Sequence, residues 1–395
     1  MKKNLRIAFW EPGPPYAPAA GGISSYIQHR AHILSGEDFE IWWASASAVA
    51  RWSAAENDWV ERRTFAIPGL KRRFMGRCPA WSPAWQYLAG ERAVDVFEFQ
   101  AGISSWLPFR RNDPRIVLQC HTSTRTRAFL NRDHEVERQT ARYQRWSNRN
   151  LHRAAGIIAC SSEIAMLEAG LFHIHPDRLT VLPHTFSRQA EAGLSVRNES
   201  GGNGCILIVG NVEYFKGMDL MVAGFDHYLR GGGSHRLQIA GCGGLHELSK
   251  ASVAGTIVPR LEKLMAEQGS DKVEFLGRLN KDELARHRAA ATAILIGSRF
   301  EALTMVAGEA FLTGCPLILS NRTGWHTLAA RHRAARLIDP YDAPDIALAL
   351  REMEDPGVRQ AYRQGGDAVA DYLGSRELAG QTADFYRKSE MVSVG

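Results

Sequence analysis

Residues 293–320 read AILIGSRFEALTMVAGEAFLTGCPLILS, and the pattern changes twice along them. AILI (293–296) is an unbroken apolar run of strand length, as expected of a strand buried on both faces. Gly297 to Leu303 is a loop. Residues 304–314 then read as an apolar helix that stops at Gly314-Cys315-Pro316, a glycine followed by a proline that cannot continue it. PLILS (316–320) is a second buried strand. A strand, a helix and a strand so close together form a βαβ unit, which implies a parallel sheet.

The same alternation extends outward on both sides. Strand-length runs at 205–210, 236–240 and 272–276 alternate with helical stretches at 217–230, 254–268 and 281–290. Before them, runs at 5–10, 39–43, 94–99, 115–119, 156–160 and 179–182 form a second series, with a helical stretch at 133–154. Residues 187–204 (SRQAEAGLSVRNESGGNG) interrupt the pattern with a polar, Gly/Ser/Asn-rich linker. The expected fold is α/β: two Rossmann-like doubly wound domains facing across a cleft. Their expected bounds are 1–187, a linker at 188–204, and 205–375. A terminal helix at 376–395 would pack back on the first domain. In such sheets ligands bind just after the strands, so functional residues are sought there.

A length of 395 residues suits two domains. Residues 1–187 hold 24 of the 48 Lys+Arg and 17 of the 42 Asp+Glu, a net +7 against −1 for the remainder. An acidic partner is therefore expected at the first half. The overall +6 is too small a signal to indicate nucleic acid. The six cysteines show no C-x-x-C and no metal-ligand spacing, which argues against a zinc site and for reduced thiols in a cytosolic protein. The start, MKKNLRIAFWEPGPP, has too short an apolar run for a signal peptide, and no run is long enough to span a bilayer.

Four after-strand segments carry candidate chemistry. Gly21-Gly22-Ile23-Ser24-Ser25 opens a helix after the first strand, where backbone amides can approach an anion; a plain turn with an N-cap is the other reading. It lacks the spacing of G-x-G-x-x-G, so a nicotinamide cofactor is not supported. His121 follows the strand 115–119 and precedes Thr122, Ser123 and Thr124; a structural histidine is the alternative. Gly210 and Asn211 lead to Lys216-Gly217 at a helix start. A cation there opposes the helix dipole unless an anion also binds; a solvated lysine is the alternative. Glu301 precedes the helix 304–314 and Glu309 lies within it, beside Gly308, Ala310 and Phe311. A carboxylate in that apolar setting needs a hydrogen-bonding partner, and the diol of a sugar is one.

Together these segments resemble the retaining nucleotide-sugar glycosyltransferases of family 4, which have the GT-B fold. The resemblance runs through the Gly21-Gly22 loop, the His121 segment, Gly210 with Lys216-Gly217, Ala240-Gly241-Cys242-Gly243, Val273 to Gly277, and Glu301 with Glu309. Cys120-His121-Thr122-Ser123-Thr124 is similar to the corresponding stretch of bacterial phosphatidylinositol mannosyltransferases. The resemblance also takes in polysaccharide glycosyltransferases. It implies a metal-independent hexosyltransferase that uses a UDP- or GDP-sugar and a glycan or lipid-linked acceptor, with no cofactor. Gly21, Gly22 and Lys216 would meet the donor diphosphate. Glu301 would hold the donor sugar and phosphate together with the amides of Ala302, Leu303 and Thr304. Glu309 would bind the ribose, Gly277 and Arg278 the base, and His121 would lie near the sugar.

Three departures stand out. Family members usually carry Arg where this chain has Asn211, and Arg299 is the candidate substitute. His184-Thr185-Phe186 replaces Asn-Gly-hydrophobic. Thr323-Gly324-Trp325-His326 replaces Gly-Gly-x-x-Glu. These keep open a second class of function, a non-catalytic nucleotide-sugar-binding scaffold. A phosphorylase or hydrolase on the same fold has no sequence signal of its own. On the acceptor side, Arg72 and Arg73 beside Trp81 and Trp85 could meet an anionic membrane surface on the cytoplasmic side, or form a solvated loop. Arg125 and Arg127 could face an acidic acceptor.

Overall fold

The computed structural model describes residues 4–11, 22–67, 79–100, 107, 109, 114–132, 138, 144–189, 203–248 and 254–391. They form two compact units: residues 1–190 with 373–395, and residues 191–372. Gly21, Arg72, Arg73 and most of the expected linker lie outside the described residues.

The first unit holds an eight-stranded sheet. Its strands are β1 (Leu5–Trp10), β2 (Phe39–Ala44), β3 (Ala48–Ser53), β4 (Asp58–Thr64), β5 (Val96–Gln100), β6 (Arg115–Cys120), β7 (Gly156–Ala159) and β8 (Leu179–Val181). They are ordered β4-β3-β2-β1-β5-β6-β7-β8. β1, β2 and β5–β8 pair in parallel, while β2–β3 and β3–β4 are antiparallel. The parallel strands are the apolar runs of the sequence. Ile7, Ala8, Phe9, Val96, Phe97 and Phe99 are fully buried, as helices on both faces require. Trp85 stacks on Phe97 with centroids 4.2 Å apart. The terminal helix Arg376–Met391 belongs to this unit. It packs so closely that a Cβ on Gly156 would meet Phe385 Cζ at 2.6 Å.

The second unit holds six strands: β9 (Cys205–Val209), β10 (Arg236–Ala240), β11 (Val273–Gly277), β12 (Ala293–Ile296), β13 (Leu317–Ser320) and β14 (Arg336–Ile338). Their order is β11-β10-β9-β12-β13-β14, all in parallel. The chain first winds outward from β9 to β11, then returns to β12 on the other side of β9. The switch point therefore lies between β9 and β12, where doubly wound sheets open a crevice at their carboxyl ends. One face of the sheet buries Ile206, Ile208, Leu237 and Leu295. It packs against Val222 and Phe225 of the helix Met218–Arg230, Leu261 of Ala254–Gln268 and Ile346 of Ala343–Glu352. The helices expected over 254–268 and 281–290 occupy those residues. Residues 133–154 contain the helix Gln144–Arg153, preceded by a separate helix, Thr124–Leu130.

Candidate functional site

In the second unit the two loops at the switch point meet. β9 ends at Val209, and Gly210 and Asn211 lead to a single 3-10 turn, Tyr214–Lys216. Gly217 then takes a left-handed conformation, φ +69°, and starts the helix Met218–Arg230. β12 ends at Ile296, and Gly297 to Thr304 lead into the helix Met305–Thr313. Lys216 Nζ forms an ion pair with Glu301 Oε1, and Ser298 Oγ donates to Glu301 Oε2 at 2.8 Å. Both charges are withdrawn from water, Lys216 to 26% and Glu301 to 10% side-chain exposure. Gly210, Asn211, Lys216, Ser298, Glu301 and Thr304 line one cavity above apolar residues of β9 and β12. Thr304 caps the helix Met305–Thr313 without a side-chain hydrogen bond, so the first amides of that helix are left for another acceptor. A larger groove beside the helix Lys281–Ala290, with Gln238, Arg286 and His287, lies away from this switch point.

The neighbouring strand ends are laced by backbone bonds. Gly210 N donates to Ala240 O at 3.0 Å, Gly241 N to Gly277 O at 2.7 Å, and Gly277 N to Cys242 O at 3.1 Å. A Cβ on Gly241 would lie 2.4 Å from Gly210 O, so only glycine allows that approach. Gly277 is partly buried at the end of β11 and Arg278 after it is exposed. Ala302, Leu303 and Thr304 are buried.

Glu309 is buried on its helix, and its charge is met by Arg288 Nη2 at 3.2 Å. Arg288 comes from the helix Lys281–Ala290 and is itself buried. The partner that the apolar setting of Glu309 demanded is thus supplied by the protein. Arg299 also has a protein partner: its guanidinium forms a two-pronged pair with Asp219, at 2.7 and 2.6 Å. It is not among the residues lining the cavity, where Lys216 is the one cation among the described lining residues. The candidacy of Arg299 as the substitute for arginine at 211 finds no geometric support, because carboxylate oxygens already occupy its fork.

In the first unit, His121 follows β6. Its ring meets Tyr26 edge-on at 4.7 Å and His184 at 4.9 Å. Burial, and then the charge of Arg30, hold its pKa down to about 3, so the ring is neutral. Burial also lowers the pKa of His184, followed by the charges of His121 and Arg30. The loop after His121 is held by Glu168: Ser123 N and Thr126 Oγ1 donate to its Oε1 at 3.2 and 2.7 Å. Arg125 donates to Leu171 O at 2.6 Å, which ties it to the helix Ser162–Phe172, whereas Arg127 is exposed. Gly22 is exposed at the start of the helix Gly22–Leu34. Two residues on, Ser24 Oγ donates to Glu11 at 2.8 and 3.0 Å. Deeper in the unit, Glu98 accepts from Tyr26 Oη at 2.9 Å and from Tyr386 Oη of the terminal helix.

Glu11 carries a testable charge. Burial raises its pKa from 4.5 to about 7, opposed by hydrogen bonds from Ser24 and Trp43. The folded state then binds more protons than the unfolded state between these values, so stability falls as pH rises through the window. At ~1.4 kcal/mol per pH unit of separation, the loss is on the order of 3 kcal/mol. Histidines with lowered pKa values have the opposite slope, so the readout is the difference between wild type and Glu11→Gln in urea unfolding. The variant is expected to gain on wild type steadily from pH 4.5 to 7. A difference that does not change with pH would refute this account.

Among the described residues, no group of three or more His, Cys, Asp or Glu could hold a metal ion. No helix of those residues is long and apolar enough to cross a membrane.

Two family descriptions match the chain: Glycosyltransferase Family 4 over residues 20–187, and Glycosyl transferases group 1 over residues 195–367. The chain belongs to glycosyltransferase family 4. A D-inositol 3-phosphate glycosyltransferase of a Nocardioides species is 33% identical over 137 residues, which is 33% of this chain and 30% of the relative. The chain spans 30% to 46% of the length of the first curated relatives, which include a mannosylfructose-phosphate synthase of Agrobacterium fabrum. Among solved structures, a sucrose-phosphate synthase from Thermosynechococcus elongatus superposes with a TM-score of 0.69 at 18% identity, covering 97% of this chain and 98% of that one. Anabaena HepE in complex with UDP-glucose gives 0.63 at 14% identity, covering 97% and 99%. At these identities the structures show a shared fold, the two-unit GT-B arrangement of parallel sheets.

Of the family 4 positions read from the sequence, Gly210, Asn211, Lys216, Glu301 and Thr304 come together at one cavity. Glu309 is paired with Arg288, and Arg299 with Asp219. Sequence reading missed Ser298 as a partner of Glu301, and also Arg288, Asp219, Glu168, Glu98 and Glu11. A buried charge on an apolar helix was a signal for Arg288. Glu98, in the middle of the apolar run 94–99, was a comparable signal for its tyrosine partners.

Proposed function

We propose that this chain is a retaining, metal-independent hexosyltransferase that moves a sugar from a UDP- or GDP-sugar to a saccharide or lipid-linked acceptor in glycan assembly. The observation that carries the reading is the Lys216–Glu301–Ser298 cluster at the β9/β12 switch point, beside the uncapped start of the helix Met305–Thr313. A diphosphate entering there exchanges the Glu301 carboxylate for its own oxygens on Lys216 and meets helix amides from the other side. Freed Glu301 and Ser298 then accept from and donate to sugar hydroxyls. As the bond from the anomeric carbon to the diphosphate oxygen breaks, positive charge grows on the sugar ring and negative charge on the leaving group. Lys216 and the amides are placed to stabilise that negative charge. The acceptor oxygen forms its new bond on the same face, and its proton passes to the departing phosphate, so configuration is retained. Neutral His121 can hydrogen-bond the sugar without adding charge. Glu309, released from or shared with Arg288, is assigned the ribose, and Gly277 and Arg278 the base.

The name of the Nocardioides relative points to a phosphate-bearing polyol, and an anionic acceptor suits the +7 of residues 1–187. Cys120, Cys160, Cys205, Cys242 and Cys315 are buried free thiols. They support action in a reducing compartment such as the cytoplasm, and the inner face of the plasma membrane is proposed only for a lipid-linked acceptor. A second reading, a nucleotide-sugar-binding scaffold, rests on Asn211, whose neutral amide removes one charge from the donor site.

The deciding experiment offers UDP-, GDP- and ADP-sugars with and without phosphorylated sugar acceptors. Transfer or slow donor hydrolysis is expected with a UDP- or GDP-sugar, and added chelator should not change it. Nucleotide binding without turnover would favour the scaffold. UDP or GDP at about a hundredfold over its Kd should stabilise the chain by ~2.7 kcal/mol in a thermal-shift assay. No response to any nucleoside diphosphate would defeat both readings.

A further inference from the structure

We propose that Arg299 is a positioning residue for the transfer: it clamps the turn that carries Lys216 to the loop that carries Glu301. The kinetic consequence rests on the function proposed above; the clamp itself rests on geometry. Arg299 lies two residues before Glu301. Its backbone N donates to Phe215 O at 2.8 Å, and its Nη1 donates to Tyr214 O at 2.6 Å. The same guanidinium bonds both carboxylate oxygens of Asp219, Nη1 to Oδ1 at 2.7 Å and Nη2 to Oδ2 at 2.6 Å. Its central carbon stands 4.0 Å from the centre of the Tyr214 ring. Arg299 and Asp219 are nearly withdrawn from water, with side chains 9% and 12% exposed.

One side chain therefore grips the chain on both sides of Lys216, at Tyr214 before it and at Asp219 in the first turn of the following helix. Only a planar fork can do this: it serves a carbonyl and a carboxylate at once and lies flat on an aromatic ring. Lysine offers a single point charge. Because the cavity holds Lys216 as the one cation among its described lining residues, the placement of that ammonium governs how well a departing diphosphate is stabilised. The arginine serves the anion site indirectly, by fixing the lysine.

Arg299→Lys keeps the charge and loses the fork. Hydrogen exchange of the ligand-free protein is expected to show faster exchange at residues 211–217 than in wild type, with strand 205–209 unchanged. Asp219→Asn opens the clamp from the other side and should give the same pattern, which serves if the first variant folds poorly. Protection of 211–217 unchanged from wild type in both variants overturns the clamp. With a nucleotide sugar, Arg299→Lys is expected to lower kcat about tenfold with little change in donor KM. In a Lys216→Ala background it should cause no further loss, because its effect passes through that lysine. Losses that multiply instead would overturn the positioning role. A wild-type protein that turns over no nucleotide sugar would break the proposed function, and the exchange result would still decide the clamp.

Discussion

Lys216→Ala should lower kcat for sugar transfer by about 10²–10³-fold, the usual effect of removing one preorganised group from developing transition-state charge. The ammonium sits at the carboxyl end of β9, clamped by its neighbours and in contact with Glu301. Asn211 provides no second charge, so no other cation among the described lining residues can take over the role. The donor's KM should change less than kcat, because charge on the leaving group is larger in the transition state than in the bound donor. Removing Lys216 also leaves the largely buried Glu301 carboxylate with Ser298 as its remaining hydrogen-bond partner among the described side chains, so some loss of stability is expected. Glu301→Gln in the same background separates the two effects. It should restore stability, since no carboxylate is left unpaired, and leave turnover low. Turnover of Lys216→Ala within threefold of wild type, measured at saturating donor, would remove Lys216 from the mechanism.

The fold was legible where burial on both faces makes a strand apolar throughout. The runs 236–240 and 293–296 coincide with β10 and β12, and 5–10 with β1. The hairpin β3–β4 escaped notice for the converse reason. It lies at the sheet edge, and its residues Arg51, Glu61, Arg62 and Arg63 break any apolar run. β14, three residues long, also lies at an edge and carries too little pattern to read. In the site, after-strand position and residue type picked out Lys216 and Glu301, which do meet. What sequence could not supply was pairing at a distance. Arg299 finds Asp219 across 80 residues, and Glu98 finds Tyr386 across 288. No local period encodes such partners; they follow from which strands become neighbours. Arg299, the candidate substitute for arginine at 211, is such a case: its guanidinium is paired with a carboxylate on another element, which its place in the sequence does not reveal.

Gly217→Ala should be the most damaging methyl that can be added near the site. Gly217 has φ +69°, in the region that costs an L-residue about 1–2 kcal/mol. A Cβ there would lie 2.1 Å from Gly297 O and 3.1 Å from Gly297 C, both backbone atoms that no rotamer change can move aside. Gly297 begins the loop to Glu301 and is itself packed against Met221. The two loops of the switch point must therefore separate, or the helix Met218–Arg230 must start differently. Either response pulls Lys216 from Glu301. Overpacking of this kind adds ~1–3 kcal/mol to the conformational cost, so a total loss of about 2–5 kcal/mol is expected in urea unfolding. Any folded remainder should also bind a nucleoside diphosphate more weakly. Gly277→Ala is the matched control. Its φ is nearly the same, at +67°, but a Cβ there meets nothing within 4 Å. It should pay the conformational cost without the collision. If the two variants lose equal stability, the close approach of Gly217 to Gly297 is not what holds the loops together.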